Sequence, residues 1–136
     1  MTAREKAESI HRQGYNCAQS VLGSCREYSG MDESTALSVA AGFGGGMKCG
    51  EVCGAVTGGV MAIGSAVMGA DPSDRQLNAK SAELCREYID TVRQRYGVIT
   101  CRELKSPEHM VPCDKIIAEC AELVDEILKN NTKGDK

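Results

Sequence analysis

The sequence predicts an all-α fold, a single-domain bundle of five or six helices around a central glycine-rich buried helix. Three observations lead there. No segment keeps the alternating apolar and polar pattern of a half-buried strand for more than a few residues. Residues 52–70 carry no charge and place Val52, Val56, Val60, Ile63 and Val67 on one stripe of a 3.6-residue period. Gly54, Gly58, Ala62, Ser65 and Gly69 form a second stripe on roughly the opposite side, where missing side chains let a neighbouring helix come close. The length of 136 residues suits one core, read as a domain over residues 1–130 with a frayed tail at 131–136.

The elements follow in order. Ala3, Ala7 and Ile10 share a helical face over residues 2–13, and Gly14 ends it. Asn16 is placed as the N-cap of a helix over residues 17–28 that carries Val21, Leu22 and Cys25 inward. Asp32 or Ser34 caps a short helix through Ala36, Leu37, Ala40 and Ala41. The glycine-rich loop 42–50 follows, and then the central helix. Asp71-Pro72 reads as the start of a long helix to Gly97, with proline where no amide bond is lost. Thr100 and Glu103 match a capping box for a short helix at Cys101. After the turn set by Pro107 and Pro112, Cys113 opens an amphipathic helix with Ile116, Ile117, Cys120, Leu123, Val124, Ile127 and Leu128 on one face.

The composition excludes several functions. A net charge of −3 with no run of Lys or Arg leaves no phosphate-binding surface, and one Phe, four Tyr and no Trp leave no base-stacking platform, so nucleic acid is not a partner. The uncharged segment is a poor membrane span, because five of its residues are glycine and Glu51 and Asp71 flank it. The first residues lack an apolar signal-peptide core, which points to the cytoplasm. The Gly42–Gly46 run lacks the Lys-Ser/Thr of a phosphate-binding loop and follows no strand.

Eight cysteines in a cytoplasmic chain are then buried apolar groups, metal ligands or exchanging thiols rather than a disulfide scaffold. Cys17, Cys53, Cys101 and Cys113 each fall in the first turn of an expected helix, where unpaired amides and the helix dipole favour a thiolate. Cys25, Cys85 and Cys120 fall mid-helix on apolar stripes and read as core. Cys49 forms a Cys-x3-Cys pair with Cys53, which glycines could fold into two ligands of one metal or a disulfide. Short neighbours Gly50 and Gly54 suggest an open approach to Cys53. His11 reads as an ordinary surface residue, whereas His109 is close enough in sequence to tune Cys113 or join it as a nitrogen ligand.

The four helix-start thiols, with Asn16-Cys17-Ala18-Gln19, Gly42-Phe43-Gly44-Gly45-Gly46-Met47 and Cys53-Gly54-Ala55-Val56-Thr57-Gly58-Gly59, carry a resemblance. The chain resembles the redox-active protein family with four cysteines and a Cys-Gly-Ala-x-x-Gly motif. Cys17, Cys53, Cys101 and Cys113 match the family's four positions, and the resemblance implies redox activity without implying a substrate or cofactor.

The first functional expectation is a cytosolic redox protein, a thiol oxidoreductase or electron-transfer protein, whose four thiols converge and cycle between dithiol and disulfide with an unidentified redox partner protein. An alternative is a four-cysteine metal site on the same residues, holding zinc or an iron–sulfur cluster with Cys49 as a further candidate ligand. A second alternative is a helical scaffold that forms homo-oligomers through the small-residue helix face.

Overall fold

The computed structural model describes residues 1–69 and 71–132. The described residues are all-helical, with seven α-helices among them: α1 (Ala3–Arg12), α2 (Cys17–Cys25), α3 (Glu33–Ala40), α4 (Gly54–Met68), α5 (Arg75–Tyr96), α6 (Cys101–Leu104) and α7 (Cys113–Thr132). Among the described residues there is no β-strand, only an isolated antiparallel bridge between Val52 and Thr100. No described helix is long and apolar enough to cross a membrane.

Side-chain caps set most helix starts. Thr2 and Asn16 each complete a capping box, with Glu5 and Gln19 respectively, and Asp32 caps α3 through the Thr35 amide. At Thr100 the expected box is half formed. Its hydroxyl oxygen accepts from the Glu103 amide at 3.2 Å, but the Glu103 carboxylate accepts from the Thr100 hydroxyl at 2.8 Å instead of reaching the Thr100 amide.

Three boundaries differ from expectation. Asp71 does not cap α5, because its carboxylate is held by the Ser73 amide and hydroxyl; Asp74 caps the helix through the Gln76 and Leu77 amides. The helix expected over residues 17–28 ends at Cys25 and gives way to a tighter 3-10 turn over Arg26–Tyr28, so Cys25 closes α2 rather than lying in its middle. At the other end α7 runs on through Asn131 and Thr132, where the sequence pattern predicts a frayed tail; the rest of that tail, residues 133–136, lies outside the described residues.

Helix α4 packs against α2, α5 and α7, and α1 packs against α2 and α7. Val56, Ile63, Leu84, Tyr88, Ile117, Val124 and Leu128 meet in the buried core. Glycines decide two of these contacts. A Cβ on Gly58 would stand 2.7 Å from the Ala18 carbonyl oxygen on α2. One on Gly59 would stand 2.2 Å from the Tyr88 hydroxyl, which crosses from α5 to bond the Ala55 carbonyl at 2.7 Å. The small residues Gly54, Gly58 and Gly59 are thus used within the chain, and all three are buried.

Candidate functional site

Local chemistry brings four helix starts to one place. Asn16 holds the start of α2 against α3: its Nδ2 donates to the Ala41 carbonyl at 2.9 Å, and Gln19 Nε2 donates to the Leu37 carbonyl at 3.0 Å. Gly44 packs on Asn16 so closely that a Cβ there would lie 2.3 Å from Asn16 Cγ. Cys17, the first residue of α2, is then set against α4 by Gly54, whose Cβ would meet Cys17 Cβ at 3.2 Å and the Ala18 nitrogen at 3.0 Å. The motif glycines act by admitting the neighbouring backbone.

The bridge places two more thiols. The Cys53 amide donates to the Ile99 carbonyl at 2.8 Å, and the Cys101 amide donates to the Glu51 carbonyl at 2.7 Å. These paired bonds hold Cys53, the N-cap of α4, beside Cys101, the first residue of α6. Chain 105–112 then turns back, aided by a left-handed Met110 at φ 48°, and the Val111 amide bonds the Leu104 carbonyl at 2.8 Å. That turn delivers Cys113 at the start of α7.

Cys17, Cys53, Cys101 and Cys113 line one cavity of about 30 Å³, together with Gly45, Leu104, Lys105, Val111 and Ile116. The glycine-rich loop forms part of its wall. Gly45, Gly46, Met47 and Lys48 are all left-handed, with φ between 59° and 68°, a run held by Glu51 N to the Gly46 carbonyl and by Arg102 to the Cys49 carbonyl. Left-handed geometry at Met47 and Lys48 costs roughly 1–2 kcal/mol per residue.

The sulfurs differ in charge preference. The Cys17 thiol donates toward both Cys113 and Cys53, and those interactions, with burial, push its own ionisation far up. Cys113 is lowered, first by Cys17 and then, against the cost of burial, by the Lys105 ammonium. Cys53 is also lowered by Cys17, with smaller help from the Ala55 and Val56 amides, although neither amide closes a cap hydrogen bond. A thiol has one proton, so Cys17 serves one of these sulfurs at a time. Cys113 keeps Lys105 in either case, which makes it the better-supported thiolate. Lys105 is in turn held protonated by the sulfurs, Cys113 foremost.

The expectation that every helix start lowers its thiol fails at two positions. Cys17 is raised because it is the donor. Cys101 is raised because α6 is a single turn with little dipole to offset burial.

Other cysteines stay outside the cavity. Cys49 is exposed and its thiol donates to the Gly46 carbonyl at 3.5 Å. Cys25 and Cys120 are buried and Cys85 is half-buried, all three raised first by burial. Cys53 itself is only 5 % exposed, so flanking glycines do not open it. His109 bonds the Ser106 hydroxyl at 3.3 Å and does not line the cavity, and His11 pairs with Asp114 at 2.9 Å. The cation beside Cys113 is Lys105, which no motif marks in the sequence. All eight cysteines are free, and among the described residues no group of three or more His, Cys, Asp or Glu has the arrangement of a metal site.

A sequence model of the family described as "Putative redox-active protein (C_GCAxxG_C_C)" matches residues 15–127. The second block of the label reads Gly-Cys-Ala-x-x-Gly, while the chain reads Cys53-Gly54-Ala55-Val56-Thr57-Gly58. No curated protein and no solved structure matches the chain.

Proposed function

The chain belongs to the putative redox-active protein family, and from that premise we propose that it is a cytosolic thiol redox protein in which Cys113 and Cys17 cycle between dithiol and disulfide. The observation that carries this reading is the meeting of Cys17, Cys53, Cys101 and Cys113 around one cavity with Lys105 at its wall, and the lowered ionisation of Cys113 beside Cys17 and Lys105 agrees with it. A hydrogen-bonded thiol pair in which one sulfur is a stabilised thiolate is the arrangement that exchange chemistry requires. Forming the disulfide removes two electrons and two protons from the pair, and a partner dithiol returns them. Cys53 offers Cys17 a second pairing, and Cys101 closes the cavity at the bridge. Residues 1–130 act as one domain in which α4 is the central support, since Cys53 is its N-cap and its glycines receive α2.

Thiol counting tests the reading. Reduced protein treated with oxidised glutathione should lose two of its eight free thiols, and peptide mapping should place the new bond between Cys17 and Cys113 or between Cys17 and Cys53. The reading fails if all eight thiols persist. It fails equally if the protein as purified holds stoichiometric zinc or iron on these residues and resists oxidation.

A further inference from the structure

Cavity size narrows the oxidant. A cavity of about 30 Å³ has room for about two water-sized molecules, since one water needs roughly 10–15 Å³ of such space. Cys17, Cys53, Cys101 and Cys113 all face that space, and Lys105 stands at its wall. We propose that this cavity is a hydrogen peroxide site in which Cys113 is the peroxide-reactive thiolate, Lys105 protonates the leaving oxygen and Cys17 resolves the product. The proposal rests on the dithiol reading above and adds to it the chemical class of the oxidant.

Two linked oxygens fill the room of two waters, whereas a hydroperoxide with four carbons does not fit; a disulfide oxidant meets half-buried Cys113 from its solvent side and needs no room in the cavity. The Cys113 thiolate attacks one peroxide oxygen. The S–O bond forms, the O–O bond breaks, and the departing hydroxide takes the Lys105 proton and leaves as water. Cys113 is then a sulfenic acid. The Cys17 sulfur attacks it, an S–S bond replaces the S–O bond, and the released hydroxide takes the Cys17 proton as a second water. In total, hydrogen peroxide and two thiols give one disulfide and two waters, with Lys105 regaining its proton from solvent.

The test uses the wild-type reduced protein with hydrogen peroxide and with tert-butyl hydroperoxide, following each cysteine over time by peptide mapping. Exposed Cys49 is the internal control, since no cavity restricts it. Hydrogen peroxide should oxidise Cys113 faster than Cys49, and the bulky hydroperoxide should lose that preference, because its four carbons exceed the cavity. In Lys105→Met the rate at Cys113 should fall about a hundredfold, the usual contribution of a positioned proton donor. In Cys17→Ser a dimedone adduct should accumulate at Cys113. Equal preference for both hydroperoxides, or a peroxide rate at Cys113 no greater than at Cys49, overturns the proposal. If oxidised glutathione still forms the Cys17 disulfide in that case, the dithiol reading stands without the peroxide; if it does not, both fall.

Discussion

Gly58 faces Ala18 so closely that a β-carbon on the glycine would stand 2.7 Å from the Ala18 carbonyl oxygen and 3.1 Å from its Cα. One turn earlier, Gly54 stands in the same relation to Cys17 and to the Ala18 nitrogen. The first and last glycines of Cys53-Gly54-Ala55-Val56-Thr57-Gly58 therefore bring the Cys17 helix start onto the Cys53 helix start. The motif joins two thiols by removing the side chains between them.

Replacing Gly58 with alanine should consequently disturb both stability and thiol pairing. The clash is with backbone, which cannot rotate away, and overpacking of this kind costs about 1–3 kcal/mol. The gain from a better helix former, about 1 kcal/mol, offsets only part of it. Urea unfolding of reduced Gly58→Ala should show a lower midpoint than wild type. An unchanged midpoint would mean that α2 and α4 adjust freely, and the account of the motif would be wrong.

The parts of this site that were legible in the sequence are those announced by a neighbouring residue. Asn16 marks the start of α2 through its Asn-Cys-Ala-Gln run, and Thr100 marks α6, so the sequence pattern alone puts Cys17 and Cys101 at the helix starts they occupy. Asp71 misled because a carboxylate before proline can equally bond a serine two residues on, as it does with Ser73, leaving the cap to Asp74. Lys105 carried no signal. Its meaning depends on chain 105–112 returning Cys113 to its side, a consequence of the Val111–Leu104 bond and the left-handed Met110. The closing of Cys53 depends on pairing with Ile99, which lies 46 positions away and follows no strand pattern.

Buried thiols predict an alkaline limit to stability. Unfolded cysteines ionise near pH 8.5, whereas burial pushes Cys25 up to about 11 and Cys120 up to about 12. Each group favours the fold fully below the unfolded value, and its contribution is lost as pH rises through the folded one. Over that window reduced protein should lose about 1.4 kcal/mol per pH unit for each thiol. Urea midpoints from pH 8 to pH 11 measure the slope. Cys25→Ala and Cys120→Ala should each flatten it, whatever their effect on stability at neutral pH, and an unflattened slope in both would sink the assignment.

The order of alkylation separates geometry from sequence proximity most directly. The flanking glycines suggest that Cys53 is open to reagent, yet the bridge to residues 99–101 leaves it 5 % exposed, while Cys113 is half-buried and has Lys105 beside it. The thiolate is the reactive form, so at pH 7 iodoacetamide should modify exposed Cys49 and activated Cys113 first, Cys53 later, and Cys25 and Cys120 last. Lys105→Met tests the cause. Removing a cation beside a thiolate raises the pH at which it forms, so the Cys113 profile should move to higher pH, with the rate lower near neutrality and equal to wild type once both thiols are fully ionised. Added salt should slow wild-type Cys113 near neutrality and leave the Lys105→Met variant nearly unchanged, because a charge this close to solvent is screened. If Lys105→Met and wild type gave the same Cys113 profile at low salt, the thiolate would owe its stability to Cys17 alone, and Cys17→Ser would then be the variant that abolishes early labelling at Cys113.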